Sequence, residues 1–194
     1  MQDSTLEGKQ SLEVIQQMIE QSRHNFRKEA PYFLIWGWTV LIGALGHYAL
    51  LHVELPFNPA WIWPIVIVTA YILYITAIVK NQKSEQRTTF IDRCMAGIWM
   101  GITGPLIITL IIGFQFSWGA AYPALIAVCG WGTFTTGFIM QFRPLIIGGI
   151  LSFPIALGAL FVQSAEILLI LALAVVVTYL IPGYLLKNIK SERA

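Results

Sequence analysis

Ala60-Trp-Ile-Trp-Pro-Ile-Val-Ile-Val-Thr-Ala-Tyr-Ile-Leu-Tyr-Ile-Thr-Ala-Ile-Val79 is one unbroken apolar run, twenty residues without a Lys, Arg, Asp or Glu. A hydrocarbon core of about 30 Å takes roughly 17–25 residues of helix, so this run is long enough to cross a bilayer. Five further runs share its character, at 32–53, 96–116, 120–142, 145–162 and 167–186. Backbone groups in lipid have to pair within their own segment, and these runs lack the alternation of a membrane β-strand. The expected fold is all-α, a polytopic integral membrane bundle of six helices.

Composition agrees. Of 194 residues, 57% are hydrophobic and 11% charged, against about 25% charged in soluble domains. Mean hydropathy is +0.70. A soluble enzyme, a disordered chain and a disulfide scaffold are excluded on these grounds. Cys94 belongs at one end of the third run and Cys129 near the middle of the fourth, too different in depth for a disulfide.

All twelve basic residues fall on one side of the expected membrane: Lys9, Arg23, Arg27 and Lys28 before the first run, Lys80, Lys83, Arg87 and Arg93 between the second and third, Arg143 between the fourth and fifth, and Lys187, Lys190 and Arg193 after the sixth. The opposite loops carry only Glu54 and Glu166. Positive residues stay inside, so both termini are expected in the cytoplasm of a cell membrane. The polar start, with Asp3, Glu7, Glu13, Glu20 and Glu29, is unlike a cleavable signal peptide, and neither end carries a lipidation motif.

Short outer loops at 54–59, 117–119 and 163–166 make neighbouring helices antiparallel, giving three hairpins. The longer inner connection is 80–95. Trp61-Ile-Trp63-Pro64 opens the second run and Ala121-Tyr122-Pro123 the fourth, hinting at a repeated hairpin, while Pro105 and Pro154 sit centrally in the third and fifth. Trp36, Trp38, Trp99, Phe142 and Tyr184 read as an inner aromatic belt and Tyr48, Trp61, Trp63, Trp118 and Tyr122 as an outer one, anchoring the helices at the headgroups. Small residues at helical spacing mark close packing: Gly97 and Gly101 in the third run, Ala120, Ala124, Thr133 and Gly137 in the fourth, and Gly148, Ser152 and Ala156 in the fifth. The third, fourth and fifth helices are therefore the expected compact centre.

Residues 1–30 read as a separate cytoplasmic amphipathic helix, ahead of the membrane domain at 31–190 and a tail at 191–194. Ser4 with Glu7 has capping-box spacing, and Leu12, Ile15, Ile19 and Phe26 recur on one face, widened by Val14 and Met18. Acidic residues come first and Arg23, Arg27 and Lys28 last, which suits the helix dipole, and Pro31 is the expected break into the membrane. Three occupations are open to it: the lipid surface, the protein's own inner loops, or a partner helix.

Ser11-Leu-Glu-Val-Ile-Gln-Gln-Met-Ile19, then Phe26, then Phe33-Leu-Ile-Trp36-Gly37-Trp38, resembles the opening of a group of small uncharacterised bacterial multi-pass membrane proteins, over roughly the first forty residues. The resemblance implies a bacterial cytoplasmic membrane and carries over no functional residue.

Chemistry is sparse. No carboxylate or amine lies at mid-depth, which argues against an ion-coupled transporter. HExxH, GxSxG and Walker motifs are absent, so no catalytic residue, cofactor or metal is expected. Topology accounts for the basic residues, leaving no sign of nucleic-acid binding. His47, His52 and Glu54 cluster at the outer end of the first run, but five residues turn a helix by about 500°, a poor arrangement for two metal ligands. His24 lies in the amphipathic helix. The densest polar group is Thr133, Thr135 and Thr136, among Gly130, Gly132 and Gly137. Either these threonines repair their own helix, or they line a small cavity facing a break at Gly104 and Pro105.

The leading functional expectation is a non-enzymatic regulatory or scaffold subunit. Its partners would be the bilayer, a cytoplasmic protein or a second copy of the chain, with Leu12, Ile15, Ile19, Arg23, Phe26, Arg27 and Lys28 presenting the contact face. The alternative is a small uncoupled permease hinged at Gly104, Pro105 and Pro154, with its substrate against Thr133, Thr135 and Thr136. A solidly packed threonine group favours the scaffold, and a wet cavity there favours transport.

Overall fold

The computed structural model describes residues 29–54, 56–81, 90–162 and 164–188. Among these residues all regular structure is helical. α1 is Glu29–Leu50 and α2 is Ile62–Asn81, entered through a 3-10 turn at Pro59–Trp61 that the Asn58 side chain caps. α3 is Phe90–Gln115, α4 Trp118–Ile139, α5 Arg143–Ala159 and α6 Ile167–Lys187. Five of the six are long and apolar enough to cross a membrane, and α5, at 17 residues, is the shorter one. The amphipathic helix expected over 1–30 and the tail at 191–194 lie outside the described residues, apart from Glu29 and Ala30.

Several bounds differ from the apolar runs, because hydrogen bonding rather than hydropathy ends a helix. Glu29 and Ala30 are already helical, so Pro31 lies inside α1 and is no break. Its fixed φ is itself a helical one. α1 stops at Leu50, and residues 51–53 form a turn in which His52 N–H reaches Ala49 and Val53 N–H reaches Leu50. α3 begins six residues ahead of its apolar run, at Phe90. α4 stops at Ile139, short of Phe142, because Gln141 takes a left-handed φ of 51°. Phe142 N–H then bonds to Gly137 O and Gln141 N–H to Phe138 O, which together satisfy the carbonyls of the last turn. α5 starts at Arg143 with Pro144 in its first turn and stops at Ala159 rather than Val162.

Contacts define the packing. α1 runs antiparallel to α2, with Tyr32 against Tyr74, Trp36 against Tyr71 and Gly43 against Val66. α6 crosses α1, where Phe33 meets Tyr179 and the Trp38 indole donates to the Tyr184 hydroxyl at 3.1 Å. α4 lies between α3 and α5. On one side Gly132 receives the Ile102 side chain of α3. On the other, a Cβ at Gly137 would stand 2.6 Å from Ile146 N, and one at Gly149 would stand 2.5 Å from Phe134 N. These backbones touch because neither glycine carries a side chain.

The centre is not the expected one. α6 is the most enclosed helix, with 61% of its apolar window buried, whereas α3 has 17%. The Gly97 and Gly101 face expected to pack is open: a Cβ at Gly97, Gly101 or Gly104 meets nothing within 4 Å. α4, α5 and α6 form the core, with Leu145, Leu168 and Leu186 fully enclosed. α2 and α3 present Ile65, Val68, Ile72, Ile75, Ile107, Ile108 and Ile111 outward, an apolar surface compatible with a multi-pass membrane protein.

The irregularity lies in α6 rather than at the central prolines. α3 runs through Pro105 and α5 through Pro154 without a break. In α6 residues Val176–Leu180 form a π-helical turn, with Ile181 N–H reaching five residues back to Val176 O. Pro182 follows, without an N–H for Thr178 O and with a ring that crowds that carbonyl, so a wider turn relieves both. Gly148 of α5 fits against the bulge, where a Cβ would come within 2.7 Å of Val177 O.

Candidate functional site

The residues that the sequence singles out do not converge. Gly104, Pro105 and Pro154 are exposed on the outside of the bundle. Thr133 and Thr136 of α4 are completely enclosed. Thr135 is half-buried and bonds to the Trp131 and Gly132 carbonyls of its own helix. Gly104 and Pro105 are thus open to the outside, and a Cβ at Gly104 meets nothing within 4 Å, while Thr133 and Thr136 are sealed in. Gly130, Gly137 and Gly149 bring the α4 and α5 backbones into contact.

Most hydroxyls repair their own helices. Thr133 bonds to Cys129 O at 3.0 Å, Ser152 to Gly149 O at 2.6 Å, Thr109 to Pro105 O at 2.7 Å and Thr178 to Ala174 O at 2.7 Å. Thr136 Oγ1 is the exception: it is buried with no hydrogen-bond partner. The two cysteines are free, as their depths require.

Polar and aromatic groups gather instead at the end of the bundle where α2, α4 and α6 begin. His47, one turn from the end of α1, is 9% exposed. The Trp63 indole N–H donates to His47 Nδ1 at 3.0 Å, and the Tyr122 hydroxyl lies 3.5 Å from the same nitrogen. An indole N–H only donates, so Nδ1 is the acceptor and the ring's proton is on Nε2. Trp63, Trp118 and Tyr122 form a ring cluster around it, with centroids 6.3 Å and 5.5 Å apart along the series. These three were expected only to anchor at the headgroups. Tyr122 is instead buried and helps to fix the histidine.

Beside this cluster lies a cleft of about 300 Å³. His47 of α1 and Leu51 just past its end, Asn58 ahead of α2, Trp118, Gly119 and Tyr122 of α4, and Ser164, Ala165, Ile167 and Leu168 around the start of α6 line it. At its edge Glu166 is fully exposed. The Ser164 hydroxyl, and then Glu166's own backbone N–H, hold its carboxyl below the usual range. His52 turns away, with its Nδ1 2.8 Å from Tyr48 O. Among the described residues no group of three or more His, Cys, Asp or Glu side chains is arranged to hold a metal ion.

Sequence reasoning passed over the cleft because it treated His47 beside its chain neighbours His52 and Glu54. The usable signal was depth: one histidine at the level where two other segments each supply a Trp or Tyr. The contact face Leu12, Ile15, Ile19, Arg23, Phe26, Arg27 and Lys28 lies outside the described residues. No family model, curated protein or solved structure matches this chain.

Proposed function

We propose that the protein is a non-enzymatic regulatory or scaffold subunit of a bacterial cytoplasmic membrane. In this reading six helices cross the bilayer as three hairpins, with both termini in the cytoplasm. The observation that carries it is the solid packing at Thr133 and Thr136, both completely enclosed. A permease needs a polar, reachable site near mid-depth, and helices that rock or unwind around it. Here Thr133, Ser152 and Thr178 bond to their own helices, Thr136 is sealed in without a partner, and α3 and α5 run unbroken through their prolines. The orientation rests on the placement of all twelve basic residues on one side. The partner would be met by the N-terminal segment.

Tagged full-length protein, extracted mildly from native membranes, should carry a partner in fixed stoichiometry. Deleting residues 2–20 should abolish this while the protein still accumulates in the membrane. A full-length protein that purifies alone, and that moves solute across liposomes, would replace this reading with the permease. In cells a Cys placed at Asn58 or Ser164, in a background lacking Cys94 and Cys129, should react with an impermeant reagent. A Cys at Ser84 should not, and its labelling would invert the topology.

A further inference from the structure

We propose that the cleft beside His47 binds the carbonyl oxygen of an uncharged, ring-bearing ligand that partitions into the membrane, of the quinone class. This goes beyond the scaffold reading and does not depend on it. The argument begins with one proton. Trp63 occupies Nδ1 of His47, so Nε2 carries the hydrogen. That N–H has no hydrogen-bond partner among the described residues, although His47 is nine-tenths buried and lines the cleft. The N–H therefore opens to the cleft, where a ligand oxygen can accept from it.

The surroundings select the kind of oxygen. No Lys or Arg stands in the loops at this end, which carry Glu54 and Glu166, so the local charge opposes phosphate or carboxylate. Ser164 is engaged with the Glu166 carboxylate, and the imidazole N–H stands beside the Asn58 amide and the Trp118 indole as a donor of the lining. The starts of α4 and α6 add the positive ends of two helix dipoles, enough to favour a partial negative charge on a carbonyl. The remaining walls are the Trp118 and Tyr122 rings with Leu51 and Leu168, suited to a flat apolar body. A volume of about 300 Å³ is at the small end of ligand sites, fitting a single ring system rather than a large headgroup. Set where three helices begin, the cleft lies at headgroup depth, so an apolar tail can run into the bilayer.

The test is equilibrium binding of a radiolabelled decyl-substituted benzoquinone to the purified full-length protein in detergent. Binding should saturate. His47→Leu should weaken it about tenfold, the loss of one buried hydrogen bond, and His47→Gln, which keeps an N–H, should restore most of it. Leu51 is exposed at the mouth, so Leu51→Trp leaves the histidine network intact and should block binding if His47→Leu fails to fold. Equal binding by parent, His47→Leu and Leu51→Trp overturns the proposal. So does displacement by a short-chain phosphatidylcholine, which would assign the site to a lipid ester. Displacement by inorganic phosphate would assign it to an anion and overturn the proposal equally.

Discussion

Gly149→Ala adds one methyl group at a tight backbone contact between α4 and α5, and its effect can be worked from the structure. The new Cβ would stand 2.5 Å from Phe134 N and 2.6 Å from both Phe134 Cα and Cβ, against the 3.4 Å at which ordinary contact begins. Two of those atoms are backbone, so no rotamer change relieves the overlap and α4 must move away from α5. Overpacking of this kind costs about 1–3 kcal/mol, and backbone contact puts it at the upper end, about 3 kcal/mol. Gly101→Ala is the control. It is the same chemical change in an equally apolar helix, but its Cβ meets nothing within 4 Å. There alanine's better helix propensity should stabilise the protein by about 0.5–1 kcal/mol. Reversible unfolding of the two variants and the parent in one detergent, followed by circular dichroism, measures both signs. If Gly149→Ala matches the parent, α4 and α5 do not meet as described. If Gly101→Ala is destabilised as strongly as Gly149→Ala, the open face of α3 is packed against something.

Three other substitutions probe separate features by the same melt. Gln141→Gly should raise stability by about 1 kcal/mol, since φ of 51° strains a side chain and suits glycine; a loss would mean the Gln141 side chain holds the turn. Thr136→Val keeps the shape and removes a buried hydroxyl with no partner, so stability should hold or rise by about 1 kcal/mol, and a drop would reveal a hidden hydrogen bond. Pro105→Ala should raise the melting temperature, because the proline is exposed inside a continuous helix whose interior tolerates it at a cost of up to about 3 kcal/mol; a fall would mean that neighbours have shaped themselves to it.

What the sequence determined by itself was set by interactions that run along the chain. A run such as 60–79 must satisfy its backbone internally, so its helix is readable without knowing its neighbours. The same holds for threonines that bond to their own carbonyls, as Thr133 does. The charge pattern behind the proposed orientation is likewise a property of the chain. Tertiary structure decided which faces meet. In water, packed faces are the apolar ones, but here every face is apolar and hydropathy cannot rank them. Gly97 and Gly101 have the spacing of a packing motif and lie open, while Gly130, Gly137 and Gly149 close the core. The difference is whether another backbone arrives opposite, which spacing along one helix does not encode. The π-turn in α6 needed both Pro182 and a Gly148 neighbour to receive the displaced Val177 carbonyl. The cleft is the strongest case. His47, Trp63, Trp118 and Tyr122 come from three helices and span 76 positions of the chain, and only the folded bundle puts the indole N–H on Nδ1 and leaves Nε2 without a partner among the described residues.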